Sequence, residues 1–236
     1  MKKNIAMRLA SGIMLASLLS TCVISGTFAK YTTSAEAEDT ARVAQWGVNL
    51  TASSNLFDVD YDGSVISVNA EELVAPGTAS ENVMTITLTG TPEVSVNVAF
   101  TMTVTSDVCV KAGDYEDYTQ QGTQNFNVAT NYYPVVFTLK NGAGTELVSG
   151  NLDAIAAYFN AVEFNKDYAP KQDLAKIDTD KGDGTYKLSW AWDFDNGGAG
   201  TNDKADTLLG YAATTPVANV STNIEFNISI KVTQVN

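Results

Sequence analysis

Apolar and polar residues alternate with a period of two through most of the chain, which predicts half-buried β-strands. The longest run sets Val94, Val96, Val98, Phe100, Met102 and Val104 against Ser95, Asn97, Ala99, Thr101, Thr103 and Thr105. Near the carboxyl end, Ile224, Phe226, Ile228, Ile230 and Val232 alternate with Glu225, Asn227, Ser229, Lys231 and Thr233. Tyr186, Leu188, Trp190, Trp192 and Phe194 share one face of a third strand. Shorter runs are Ala44-Trp46-Val48-Leu50, Met84-Ile86-Leu88 and Val135-Phe137-Leu139. Each has one apolar face and one face rich in Thr, Ser or Asn, the pattern of an all-β fold with two antiparallel sheets packed face to face. One segment departs from it. Leu152, Ile155, Ala156, Phe159 and Val162 recur at helical spacing behind Asn151 or Asp153 as caps, predicting an inserted amphipathic helix over 151–164. Gly- and Asp-rich stretches at 111–125, 178–184 and 195–206 are expected as loops.

The amino terminus has a different character. Lys2, Lys3 and Arg8 precede an apolar stretch from Leu9 to Phe28 that ends in Thr27-Phe28-Ala29. A basic start, an apolar run and small residues at both recognition positions predict a signal peptide over 1–29, cut between Ala29 and Lys30. The run is also about as long as the roughly 20 residues a membrane anchor needs, so an uncleaved anchor is the alternative. Residues 30–39 would then form a leading strand or tail, and 40–236 a β-sandwich domain. Tyr31, Thr33, Ala35 and Ala37 lie on one face of that leading segment, with Lys30, Thr32, Ser34, Glu36 and Glu38 on the other. A strand of this kind can satisfy a row of unpaired backbone groups on an exposed sheet edge, in a partner or in its own subunit.

Composition narrows the function classes. The chain carries 27 acids against 14 basic residues, a net charge of −13, and removal of the leader makes it more acidic still. Such a polyanion repels nucleic acid and anionic lipid. There is no histidine, which removes the Ser-His-Asp triad, the Cys-His pair and the two-histidine zinc protease. No catalytic residues are assigned and the chain is read as a non-enzyme. Of the two cysteines, Cys22 falls in the leader and Cys109, between Val108 and Val110, reads as a small buried hydrophobe. The spacing Asp58-x-Asp60-x-Asp62-Gly63 matches the start of a calcium loop, although Asn69 stands where such a loop has a bidentate glutamate. The same residues also make a hairpin turn between 56–59 and 65–68. No cofactor is expected, and any calcium bound at Asp58, Asp60 and Asp62 would be structural.

Three stretches together resemble the TasA/camelysin family of Gram-positive matrix proteins, exported through a SipW-type signal peptidase. They are Gly26-Thr27-Phe28-Ala29-Lys30-Tyr31-Thr32 with Ala41-Arg42-Val43-Ala44-Gln45-Trp46-Gly47-Val48; Val74-Ala75-Pro76-Gly77-Thr78 leading through Gly90-Thr91-Pro92-Glu93-Val94; and Trp190-x-Trp192-x-Phe194 with Asn202-Asp203-x-x-Asp206-Thr207-x-Leu209-Gly210. The resemblance implies a jelly-roll-like sandwich, secreted to the extracellular matrix or cell surface of a Gram-positive bacterium. It further implies a biofilm fibre, a homopolymer built by donor-strand exchange of the mature amino terminus, with other matrix proteins as further partners. The metalloprotease label carried by camelysins does not transfer, because no histidine is present to hold the metal. The alternative from a different class is a monomeric surface adhesin or carbohydrate-binding module, with Tyr115, Tyr118, Tyr132 or Tyr133 stacking on sugar rings.

Overall fold

A computed structural model describes residues 43–53, 56–61, 65–67, 71–118, 125–161, 164–176, 184–194 and 201–235. By its contacts the chain divides into two units, Met1–Ala44 and Gln45–Asn236. The strands of the second unit are β1 Val48–Ala52, β2 Asp60–Tyr61, β3 Val65–Ile66, β4 Thr78–Ala79, β5 Met84–Gly90, β6 Val96–Ser106, β7 Cys109–Val110, β8 Gly113–Glu116, β9 Asn125–Val128, β10 Val136–Asn141 and β11 Glu146–Gly150. Helix α1, Leu152–Phe159, comes next, then β12 Lys166–Tyr168, β13 Thr185–Trp192, helix α2 Thr201–Ala212, β14 Val220–Ser221 and β15 Glu225–Gln234.

The alternating sequence builds an all-β sandwich with antiparallel pairing. The larger sheet runs β1-β5-β13-β10-β11, with β4 also on β13, and the smaller runs β12-β6-β15. Val96, Val98, Phe100 and Met102 of β6 are buried, as are Tyr186, Leu188, Trp190 and Trp192 of β13. The two sheets meet through aromatic edges. Phe100 of β6 stands perpendicular to Tyr186 of β13 at 5.5 Å, and Phe137 of β10 to Phe226 of β15 at 6.3 Å. These offset geometries suit the ring quadrupoles and fill the space between the sheets. At the start of β13, Gly184 has φ +72°, and a Cβ there would lie 2.2 Å from Leu88 O, so no larger residue fits.

The predicted helix is present but shorter than 151–164. Asn151 caps it, its side chain accepting from Ala154 N at 3.1 Å. It ends at Asn160, whose side chain turns away to bind β6. Val162 lies outside the described residues.

Four other expectations are corrected. The stretch 195–206 is not all loop, because α2 starts at Thr201. Ala205, Leu208, Leu209 and Ala212 are buried along one face of α2, at the i, i+3, i+4, i+7 spacing of a helix. Within 111–125, Gly113–Glu116 is strand β8, paired with β9. Along the run Ala44-Trp46-Val48-Leu50, β1 begins only at Val48, and Trp46 and Leu50 are each 42% exposed, because among the described residues β1 is an edge strand paired with β5 alone. Phe194 lies past the end of β13 and is 77% exposed. Cys109 is buried, and burial pushes its thiol pKa up, as expected of a small core hydrophobe.

Candidate strand-docking edge

The two edges of the small sheet are treated differently. On one side of β6, β12 pairs with Val96–Val98, matching Tyr168 to Val96 and Lys166 to Val98. Further along the same side, Asn160 takes over. Its Oδ1 accepts from Met102 N at 2.9 Å and its Nδ2 donates to Met102 O at 2.9 Å. A side-chain amide thereby imitates one residue of a neighbouring strand and satisfies both backbone groups of Met102. The end of α1 thus covers an edge that would otherwise offer unpaired N–H and C=O groups.

That contact also fixes the direction of every backbone group on the other side. Met102 is opposite Ile228 in the β6–β15 register. Because Met102 gives its N–H and C=O to Asn160, Met102–Ile228 is a non-hydrogen-bonded pair of the antiparallel ladder. The same parity holds for Phe226–Val104, Ile230–Phe100 and Val232–Val98. The bond from Val235 N to Ser95 O at 3.0 Å, on the opposite parity, agrees with this assignment. Phe226, Ile228, Ile230 and Val232 therefore turn their N–H and C=O groups away from β6. Among the described residues β15 pairs with β6 alone, so this outward row has no strand beside it.

The side chains of the same four residues are incompletely covered. Their neighbours Val96, Val98, Phe100 and Met102 are at most 3% exposed, whereas Phe226, Ile228, Ile230 and Val232 are only half-buried although they pack on the core. Outward backbone and half-covered apolar side chains coincide on one ten-residue strand. One further strand alongside β15 would satisfy the first and bury the second.

The predicted cleavage residues Ala29 and Lys30 and the leading-strand residues Tyr31, Thr33, Ala35 and Ala37 lie outside the described residues, as does Asp62. Asp60 lies on β2, opposite Ile66 of β3, and Asp58 lies two residues earlier, bridged to Leu73. Asp58 Oδ1 accepts from Val59 N at 2.7 Å. Among the described residues no cluster of three or more Cys, Asp or Glu side chains could hold a metal. Of the tyrosines, Tyr115 is buried and donates to Lys111 O at 2.7 Å. Tyr132 donates to Asp206 Oδ1 at 2.8 Å. Tyr118 is half-buried and stacks on Tyr211, and Tyr133 is half-buried.

Two carboxyls are shifted by their surroundings. Burial raises Asp107 to about 6, against opposing hydrogen bonds from Leu152 N and Val108 N and with help from the Asp153 charge. Its Oδ2 accepts from Leu152 N at 3.0 Å at the start of α1. Burial also raises Asp206, partly offset by the Tyr132 hydroxyl. Asp107 follows the end of β6 and Asp206 lies on α2, each with its own partners. Comparison of the chain with protein-family models, with curated proteins and with solved structures finds no match in any of the three.

Proposed function

We propose that this chain is a secreted structural subunit of an extracellular fibre, acting by assembly and not by catalysis. Residues 30–39 of one copy add as a strand beside β15 of the next, and the small sheet grows from three strands to four across the junction. The observation that carries this reading is the coincidence on Phe226, Ile228, Ile230 and Val232 of outward backbone groups and half-covered apolar side chains. Each backbone hydrogen bond added there contributes roughly 0.5–1.5 kcal/mol net, and burial of the apolar face adds about 25 cal/mol per Å² removed from water. The small residues Ala35 and Ala37 let the incoming strand approach closely, while Tyr31 supplies one large apolar group. The strong negative charge keeps unassembled copies apart until the strand engages.

Electron microscopy of protein that begins at Lys30, beside protein lacking residues 30–38, tests the reading. Regular filaments from the first and folded single particles from the second support it. Filaments of equal yield from both, or single particles from both at high concentration, overturn it.

A further inference from the structure

Away from the β15 edge, an acidic groove of about 530 Å³ opens between the β8 strand and the carboxyl-terminal end of α2. One wall is a pair of tyrosines. Tyr118, just past β8, and Tyr211, on α2, stack with ring centroids 4.1 Å apart and planes 16° from parallel. Tyr211 is 38% exposed and Tyr118 half-buried, so the pair presents an aromatic surface to the groove. An ion pair next to it sets the geometry. Asp117, its carboxylate fully buried, meets Lys204 Nζ at 2.8 Å and ties the end of β8 to α2, one residue before Tyr118 and two turns before Tyr211. Asp114 and Glu116, the exposed residues of β8, bring two carboxylates to the same groove, and Asn219 and Thr215 add polar groups on the far side.

Among the described residues lining this groove none is basic. Desolvation, and then the neighbouring Glu116 carboxylate, raise the Tyr118 hydroxyl above its ordinary value. Carboxylates beside an aromatic face select a ligand that donates hydrogen bonds and carries positive charge, since ring faces attract cations and C–H edges. A groove of this size holds a small oligomer, not a single ammonium group. A flat aromatic wall suits a ring with a C–H face better than a flexible chain.

We propose that this groove binds a glycan of amino sugars whose amino groups are free, with one pyranose ring against the Tyr118–Tyr211 pair and its ammonium group at Glu116, since Asp114 Oδ1 already accepts from Asn127 Nδ2 at 2.9 Å. The site would fasten a subunit to a cationic polysaccharide, and it stands on its own observations, independent of the β15 edge.

Calorimetric titration of the folded protein tests this with three probes at physiological ionic strength: a glucosamine hexamer, the N-acetylated hexamer and hexalysine. The proposal expects saturable binding of the glucosamine hexamer, at least tenfold tighter than that of the other two. Tyr211→Ala should weaken it roughly tenfold, the scale of one lost stacking contact between a sugar ring and an aromatic ring. Glu116→Gln, a change at an exposed strand position, should weaken it several-fold without altering the fold. No binding of the glucosamine hexamer, hexalysine binding as tightly, or affinity unchanged in Glu116→Gln would each overturn it.

Discussion

Asn160 places its side-chain amide against the backbone of Met102, accepting from N and donating to O at 2.9 Å each. One residue at the end of α1 thus closes a strand edge that β12, three residues long, does not reach. The opposite edge of the same sheet, β15, has no such device among the described residues.

Replacement of Asn160 by Ala leaves both Met102 groups without their partner. Each bond contributes roughly 0.5–1.5 kcal/mol, and water reaches part of this site, so the loss should be about 1–2 kcal/mol. Chemical denaturation with an unchanged slope checks the value. Asn160→Asp, which keeps the acceptor and loses the donor, should fall between the two.

A charge on the inner face of β15 separates assembly from folding. Ile228 is half-buried, so Ile228→Lys can lift its ammonium into water while placing it where an added strand would lie. The melting temperature should fall by only a few degrees, consistent with a loss of about 1 kcal/mol. Filament growth should be abolished. Filaments formed at the normal rate would remove β15 from the proposed junction.

Much of this arrangement is legible in the alternation. β5, β6, β10, β13 and β15 lie where the period-two runs put them, because each has one face against the core. α2 is also written in the sequence, as Ala205, Leu208, Leu209 and Ala212, but Asn202, Asp203 and Gly210 around it carry the signature of a turn. Alternation tells which face of a strand is buried and not which strand lies beside it. Trp46 and Leu50 read as core residues for that reason, and lie exposed because β1 ends its sheet. The β15 edge is illegible on the same ground. Its open side follows from the pairing of Met102 with Asn160, a contact across 58 residues that no local pattern encodes.

Asp107 gives the fold a pH dependence of defined sign. Its pKa is raised to about 6 in the folded chain from 3.8, chiefly by burial. Between these values the folded state holds more protons than the unfolded state, so this group's contribution to stability falls as pH rises through 6. Partial access of water limits the effect to about 1–2 kcal/mol. Asp107→Asn retains an acceptor for Leu152 N and cannot ionise. At pH 8 it should be more stable than the parent by about that amount, and at pH 4 the two should be nearly equal. Thermal melts of both proteins across this range check it, and a difference that grows toward low pH would contradict the assignment.

Residue-resolved hydrogen exchange reports on the junction itself. Protein beginning at Lys30 should show fast exchange at the amides of Phe226, Ile228, Ile230 and Val232 when dilute, and strong protection at those four once filaments form. Rapid exchange at these amides inside filaments, or full protection in dilute single molecules, would contradict strand addition between copies at β15.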